Sequence, residues 1–311
     1  MTKTPDKTRY EKGGGIHPKY YGLRKRSDRQ ADEIQAKFGE RPMSIVRVRK
    51  HLNRDYIVTY VNEYRGNYHR PQGQMVAAGV PHEFALAGCG ARKGGLSQAP
   101  YNILVFYYKF YSKPGDLIFD PFAGQGAQMQ AAWRLQRRYI GYDVSQEFLD
   151  FMRKVRVELR IDDRVQVLDH DSRKVDLEDN SVDMVGWTSP PYWDIEDYGD
   201  DKRQAGRAQT YDEFMGTMKE IIHECCRVVK PGGFIVWNVM DFRKGGRFYN
   251  YHGDTIQLFN SNPYGVRQWD CHIMDWGASF GQTFLYSFIK KYLVPRQHEY
   301  TLIFRKEGKK A

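Results

Sequence analysis

Long apolar runs are missing from this sequence. No stretch approaches the ~18 consecutive apolar residues of a membrane-spanning helix, and the opening MTKTPDKTRYEKGG is charged where a secretory leader is apolar. A cytoplasmic location is the expectation. Cysteine is also scarce: Cys89, Cys225, Cys226 and Cys271 are the four present, none in CxxC spacing. That argues against a disulfide framework or a structural zinc, and no metal site is expected. No internal repeat is present. Acidic residues are in deficit, with 38 Asp and Glu against 48 Lys and Arg, a formal charge of +10. Such a balance suits a polyanionic partner.

The 311 residues, 41% of them hydrophobic and 28% charged, suffice for one substantial catalytic domain and an extension of several tens of residues. Residues 1–30 mix Gly13-Gly14-Gly15 with nine Lys or Arg and three acids and show no sustained apolar period. They read as a flexible basic arm. Residues 31–95 form a small region whose fold stays open: MSIVRVRK and DYIVTYVNEY alternate like strands, while tyrosines and arginines interleave through YRGNYHRPQGQ. Nucleic-acid contact is a candidate role for it.

Residues 96–311 alternate regularly. APYNILVFYYKFYS has helical spacing and is broken by Lys113-Pro114-Gly115-Asp116. Strand LIFDPF, a helix over 127–136, strand RYIGYDV, a helix over 146–160, and strands RVQVLDHD and VDMVGWTS follow. Then come a helix over 211–229, a Pro231-Gly232-Gly233 turn, strand FIVWNVMD, a helix over 253–262, and late strands WDCHIMDW and HEYTLIFRK. The alternation predicts an α/β domain with a mostly parallel sheet covered on both faces and right-handed crossovers.

The first regular strand runs into Asp120-Pro121-Phe122-Ala123-Gly124-Gln125-Gly126 and directly onto a helix, placing the loop at the ligand-binding carboxyl edge of such a sheet. The dinucleotide fingerprint GxGxxG fails, because Met129 stands at the third glycine position. Asp143, at the next strand end, is placed to accept hydrogen bonds from ribose hydroxyls, and Asp171, at the third, to reach an adenine amine. Together these strand ends suggest an adenosine-shaped site; singly, each could be an ordinary turn or solvated carboxylate.

The fourth strand leads into Thr188-Ser189-Pro190-Pro191-Tyr192-Trp193. Two prolines fix φ and remove two N–H donors, leaving carbonyls for a substrate. Ser189 Oγ and the Pro190 carbonyl could accept the two hydrogens of an exocyclic amine and draw out its lone pair, while Tyr192 and Trp193 stack on or support a base. A rigid turn with aromatic packing is the plainer reading. Such geometry is impossible inside a duplex, so a DNA base would have to be flipped out.

These residues resemble the amino-group DNA methyltransferases that make N4-methylcytosine or N6-methyladenine. The resemblance runs from about 96 to 306, through KPGD, DPFAGQG, RYIGYDV, HDSR, DNSVDMVGWTSPPYW, RVVKPGGFIVWNV and HEYTLIFRK. It implies a Rossmann-like class I fold with a seven-stranded sheet and S-adenosyl-L-methionine as cofactor. It further implies that Phe122, Gly124 and Gly126 line the methionine part, Asp143 holds the ribose, Asp171 lies near the adenine, and Asp120 orients the sulfonium end. Residues 97–101 would close over the cofactor. A serine before Pro-Pro-Tyr leans toward cytosine N4, where Asp or Asn leans toward adenine N6. C5 methylation, which needs a thiolate, is disfavoured because no Pro-Cys pair occurs.

The chain departs from the family in two ways: the glycine loop precedes SPPYW, the reverse of many N4-cytosine enzymes, and no long insertion that would read target sequence is present. DNA recognition would fall to residues 1–95, to 194–210 with Lys202, Arg203 and Arg207, or to 243–262. Arg24, Lys25 and Arg26 are further phosphate candidates. His170 and His252 receive no catalytic role; Asn238 and Asp241 support the loop, meet the substrate, or cap a helix. Duplex DNA is the expected partner. An RNA amino-group methyltransferase and a nucleic-acid-binding protein without chemistry are the competing readings.

Overall fold

The computed structural model describes residues 45–47, 101–196, 198–275, 293 and 298–308. The basic arm with Arg24, Lys25 and Arg26, almost all of the 31–95 region and residues 97–100 lie outside the described residues. The described elements are β1 (Ile45–Arg47), α1 (Tyr101–Tyr111), β2 (Leu117–Asp120), α2 (Ala127–Arg134), β3 (Arg138–Asp143), α3 (Gln146–Glu158), β4 (Val165–Asp169) and β5 (Val182–Thr188). They continue with α4 (Tyr211–Val228), β6 (Val229–Val239), β7 (Phe242–Lys244), β8 (Arg247–Tyr249), α5 (Tyr251–Asn260), β9 (Val266–Asp275) and β10 (His298–Lys306).

The main sheet has the order β1-β9-β10-β6-β5-β2-β3-β4. Pairings among β2, β3, β4, β5 and β6 are parallel; β10 runs antiparallel to both β6 and β9. The mostly parallel seven-stranded sheet is therefore present, and a short eighth strand, β1, taken from MSIVRVRK, pairs parallel with β9 at its edge. β2 and β5 are buried on both faces, as parallel strands between helical layers must be. Their alternating side chains feed two cores. Ile118 and Met184 join the residues of α1, α2 and α3 on one side, while Phe119 and Val185 join those of α4 and α5 on the other.

Local chemistry explains the element ends. α4 starts in a capping box, with Thr210 accepting from the Glu213 backbone and Glu213 reaching back. It then buries Phe214, Met218, Ile221, Ile222 and Cys225 along one stripe, each large side chain worth about 1.5–3 kcal/mol of transfer energy. Pro231-Gly232-Gly233 is not a free turn but lies inside β6, as a bulge. Register jumps from Val229 to Phe234 opposite Val182 to Met184, and Gly232 at φ +83° absorbs the bend. β4 ends at Asp169, two residues before the expected end at Asp171.

Residues 243–262, a candidate for DNA recognition in which a helix is expected over 253–262, begin with most of a hairpin that precedes α5. β7 and β8 pair antiparallel across Gly245-Gly246, whose φ values of +56° and +81° give the twist that two-residue hairpins require.

Candidate active site at the carboxyl edge of the sheet

The strand order reverses between β2 and β5, so the loops leaving their carboxyl ends diverge and open a crevice. A cavity of about 310 Å³ occupies it. Gly124 and Gly126 adopt φ +51° and +76°, a region that side chains disfavour. A Cβ on Gly126 would also lie 2.9 Å from Met152 Cγ. The turn brings Gly124 N to donate to Asp143 Oδ2 at 2.7 Å, while Ser145 N donates to Oδ1 at 2.8 Å. Asp143 thus faces the cavity with its orientation set by main-chain amides. Desolvation pushes its carboxyl up to about 6, against the pull of those amides.

Asp120 behaves differently from expectation. It is fully buried and does not line the cavity. Its carboxylate accepts from Phe122 N at 3.1 Å, Thr188 Oγ1 at 2.9 Å and Tyr139 Oη at 2.9 Å, lacing the ends of β2, β3 and β5 together. Burial raises its pKa to about 6. The carboxylate therefore shapes the loops rather than meeting a ligand. Gly126 likewise stays off the cavity wall and serves as the left-handed N-cap of α2.

Phe122, Gly124, Asp143, Asp171, Ser189, Pro191, Tyr192 and Arg203 all line the cavity; Pro190, Trp193, Lys202 and Arg207 do not. Asp171 pairs with Arg173. Burial works upward on its carboxyl, but the Arg173 hydrogen bonds and charge hold it below its usual value. Beside it, Ser172 Oγ donates to Pro121 O at 2.8 Å, clamping the loop after β4 to the glycine loop.

The catalytic-loop candidates are held from a distance. Tyr251 Oη, on α5, donates to Pro191 O at 3.2 Å, and its ring meets Tyr192 edge-on at 5.9 Å. Burial drives the Tyr192 hydroxyl pKa well above its usual value, as does nearby Glu299; the Ser189 side chain opposes this from close by without the geometry of a formed hydrogen bond. Of the two roles read for Trp193, stacking on a base or support, the surroundings match support. At φ +51° the residue turns away from the cavity, Nε1 donates to Ala208 O at 2.9 Å, and the indole packs against Tyr249 and Tyr211. It supports the loop from outside the cavity wall.

The opposite wall carries groups that sequence reading missed or left undecided. Trp187 Nε1 donates to Thr301 Oγ1 at 3.3 Å, and Thr301 Oγ1 donates to Asn238 Oδ1 at 2.9 Å. Asn238 Nδ2 then donates to Glu299, and both residues line the cavity. Asp241 Oδ1 accepts from His252 N at 3.1 Å and contacts His252 Nδ1 at 2.8 Å, so it caps the start of α5. Glu299 and Tyr251 lie on strands and helices far along the chain, and no local pattern marks them.

The two arginines of 194–210 are engaged with neighbours. Arg203 bridges Asp169 and Asp201, and Arg207 pairs with Asp200 and donates to Gly199 O. Among the described residues no helix is long and apolar enough to cross a membrane, and no group of His, Cys, Asp or Glu could hold a metal ion.

The chain matches the DNA methylase family, the N6/N4 methyltransferases, over residues 91–154 and 182–311, more than half its length. It is 39% identical over 84 residues to the Type II methyltransferase M.BglII of Bacillus subtilis, covering 27% of this chain and 19% of that protein. It is 31% identical over 157 residues to the Type II methyltransferase M.MthZI of Methanothermobacter thermautotrophicus, covering 43% and 42%. The chain thus spans less than half the length of these relatives. Among solved structures, TrmN from Thermus thermophilus aligns with a TM-score of 0.48 at 12% identity, over 72% of this chain and 52% of that one. The chain's own topology, parallel β2 to β6 with β10 inserted antiparallel beside β6, is the Rossmann-like class I methyltransferase arrangement, and S-adenosyl-L-methionine is the cofactor that goes with the matched family. Glycine loop, strand-end carboxylate and SPPY loop thus meet around one cavity in a chain that belongs to the DNA methylase family.

Proposed function

We propose that this protein transfers a methyl group from S-adenosyl-L-methionine to the exocyclic amine of a flipped-out DNA base, with cytosine N4 the preferred atom. The observation that carries the reading is the shared cavity: Gly124 and Asp143 on one side of the switch point and Ser189 and Tyr192 on the other line the same 310 Å³ space. The residues present fit the cofactor, because a glycine-cradled loop, an oriented carboxylate and the apolar walls Phe122 and Phe148 suit an adenosyl group. Asp143 would hold the ribose, and Asp171 would lie near the adenine. The bound cofactor supplies an electrophilic methyl.

The chain's own residues do the rest. Ser189 Oγ and the Pro190 carbonyl accept from the two amine hydrogens, which withdraws the nitrogen lone pair from the ring. Tyr251 holds the neighbouring Pro191 carbonyl, so the loop keeps its shape; Ser189 lines the cavity and Pro190 does not, so the serine hydroxyl is the better placed of the two acceptors. Tyr192 gives the base an aromatic face. Methylation leaves the amine with one proton too many, and Glu299, oriented by Asn238, is the carboxylate on the opposite wall suited to take it. The Type II methyltransferases among its relatives support DNA as substrate, and Ser189 supports cytosine.

The test incubates the protein with S-adenosyl-L-methionine and unmethylated duplex DNA, digests to nucleosides and identifies the product by mass spectrometry. N4-methylcytosine is expected. N6-methyladenine would overturn the base and leave the amine chemistry; methylation of transfer or ribosomal RNA alone would overturn the substrate.

A further inference from the structure

Two basic surfaces flank the cavity, and they differ in how their charge is used. Around 194–210, arginines are paired with Asp169, Asp200 and Asp201. The β7–β8 hairpin, Phe242-Arg243-Lys244-Gly245-Gly246-Arg247-Phe248-Tyr249, contains three cations and no acid. Among the described residues, neither Arg243 nor Arg247 pairs with a carboxylate, and both are exposed. Each guanidinium instead lies over a ring of its own hairpin, Arg243 over Phe248 at 5.3 Å and Arg247 over Tyr249 at 5.1 Å. One Arg243 N–H also donates to Gly246 O at 3.4 Å, and the register puts the two arginines on opposite faces of the hairpin; stacking of this kind restricts each side chain yet leaves its remaining in-plane N–H groups available to grip a planar or tetrahedral anion.

The hairpin is stiff and is tied to the catalytic loop. Phe242 stacks on Tyr249 at 5.1 Å, and Phe242 itself lines the cavity. Lys244, on the same face, pairs with Asp194 and sits 3.9 Å over the Trp193 ring, immediately after Ser189-Pro190-Pro191-Tyr192. A contact made by the hairpin is therefore made a few residues from the acceptors that would receive the base.

We propose that the β7–β8 hairpin grips the DNA sugar-phosphate backbone beside the target nucleotide through Arg243 and Arg247. Phosphate contacts position a duplex without reading its sequence, which suits a chain lacking a long recognition insertion. The inference rests on the DNA reading above and assigns the phosphate contact to the hairpin rather than to Arg203 and Arg207.

The test measures binding of the full chain to a fluorescein-labelled duplex of mixed sequence by anisotropy over a series of salt concentrations. Replacing Arg243 and Arg247 together by alanine should weaken binding at least tenfold at low salt. It should also make the log-affinity against log-salt slope shallower by about 2, near 0.9 per lost phosphate contact. The thermal shift given by S-adenosyl-L-methionine should stay as in the wild type. Should the double variant fail to fold, Arg243→Gln and Arg247→Gln singly are each expected to remove about 0.9 from the slope. A wild-type slope and affinity in folded variants, with the wild type still methylating DNA, would overturn the hairpin assignment alone. Methylation of RNA with no DNA binding would overturn the substrate reading and the hairpin's partner with it.

Discussion

The two halves of the cavity are built by different means. The cofactor side is short-range and main-chain: glycines turn the loop, and Gly124 and Ser145 amides orient Asp143 within a stretch of 22 residues along the chain. The substrate side is long-range and aromatic, with the Ser189–Tyr192 segment braced by Tyr251 on α5 and by Trp193, which is itself held by Ala208 and Lys244. A backbone-built site depends on few side chains and tolerates change around it. An aromatic brace drawn from three separate segments can transmit the state of any one of them to the reacting groups.

That contrast can be broken by substitutions that ought to separate binding from turnover. Ser189→Ala and Tyr192→Ala are expected to lower turnover by roughly 100-fold, while the thermal shift with S-adenosyl-L-methionine remains near the wild-type value. Loss of the shift would mean that the halves are not separable. Asp143→Ala should do the reverse, weakening cofactor affinity by roughly 10- to 100-fold, since one hydrogen bond to a charged group contributes about 1.5–3 kcal/mol. Titration calorimetry reads it directly. Because the Asp143 carboxyl titrates near 6 and the ionised form accepts the ribose hydroxyls, wild-type affinity should decline as pH falls through about 6. Asp143→Asn should remove that dependence.

Smaller effects sharpen the comparison. The Asp120 pKa is raised to about 6 by burial, so its protonated form is favoured in the folded state. Its contribution is stabilising below the unfolded carboxylate range near 4 and is lost as pH rises through about 6. Asp120→Asn should therefore flatten the fall in stability between pH 4 and 6, by an amount on the order of 1–3 kcal/mol; an unchanged pH slope of unfolding free energy would show that the carboxylate is not strained by burial. Tyr251→Phe removes the hydroxyl from the Pro191 carbonyl and should cost about 1 kcal/mol of stability. It should lower kcat more than it raises KM, with no change in cofactor binding.

The same contrast explains what sequence reading reached. The cofactor half follows local rules, so strand, glycine turn, helix and strand-end acid could be placed from DPFAGQG and RYIGYDV, and seven of the expected cofactor and catalytic residues, Phe122, Gly124, Asp143, Asp171, Ser189, Pro191 and Tyr192, line the cavity. Asp120 was misplaced because its neighbours Tyr139 and Thr188 lie on other strands, and their hydroxyls decide which way the carboxylate points. Which of its two roles Trp193 plays was not legible, because a left-handed φ uncommon for an aromatic residue turns it off the cavity wall into support. The hairpin escaped notice because three-residue strands carry almost no periodic signal; only Gly245-Gly246 between alternating residues marked it. Glu299 and Tyr251 reach the site through tertiary packing alone.

The position of β10 has a consequence for how the protein is made. This strand is paired on both sides, with β6 and with β9, yet a ribosome delivers it after both. Until His298–Lys306 has emerged, β6 presents an open edge carrying Ile235, Val236 and Trp237, and β9 has no route into the sheet except through a strand not yet synthesised. The nascent domain must wait as an unfinished sheet with an exposed apolar edge, the condition in which chains pair with one another.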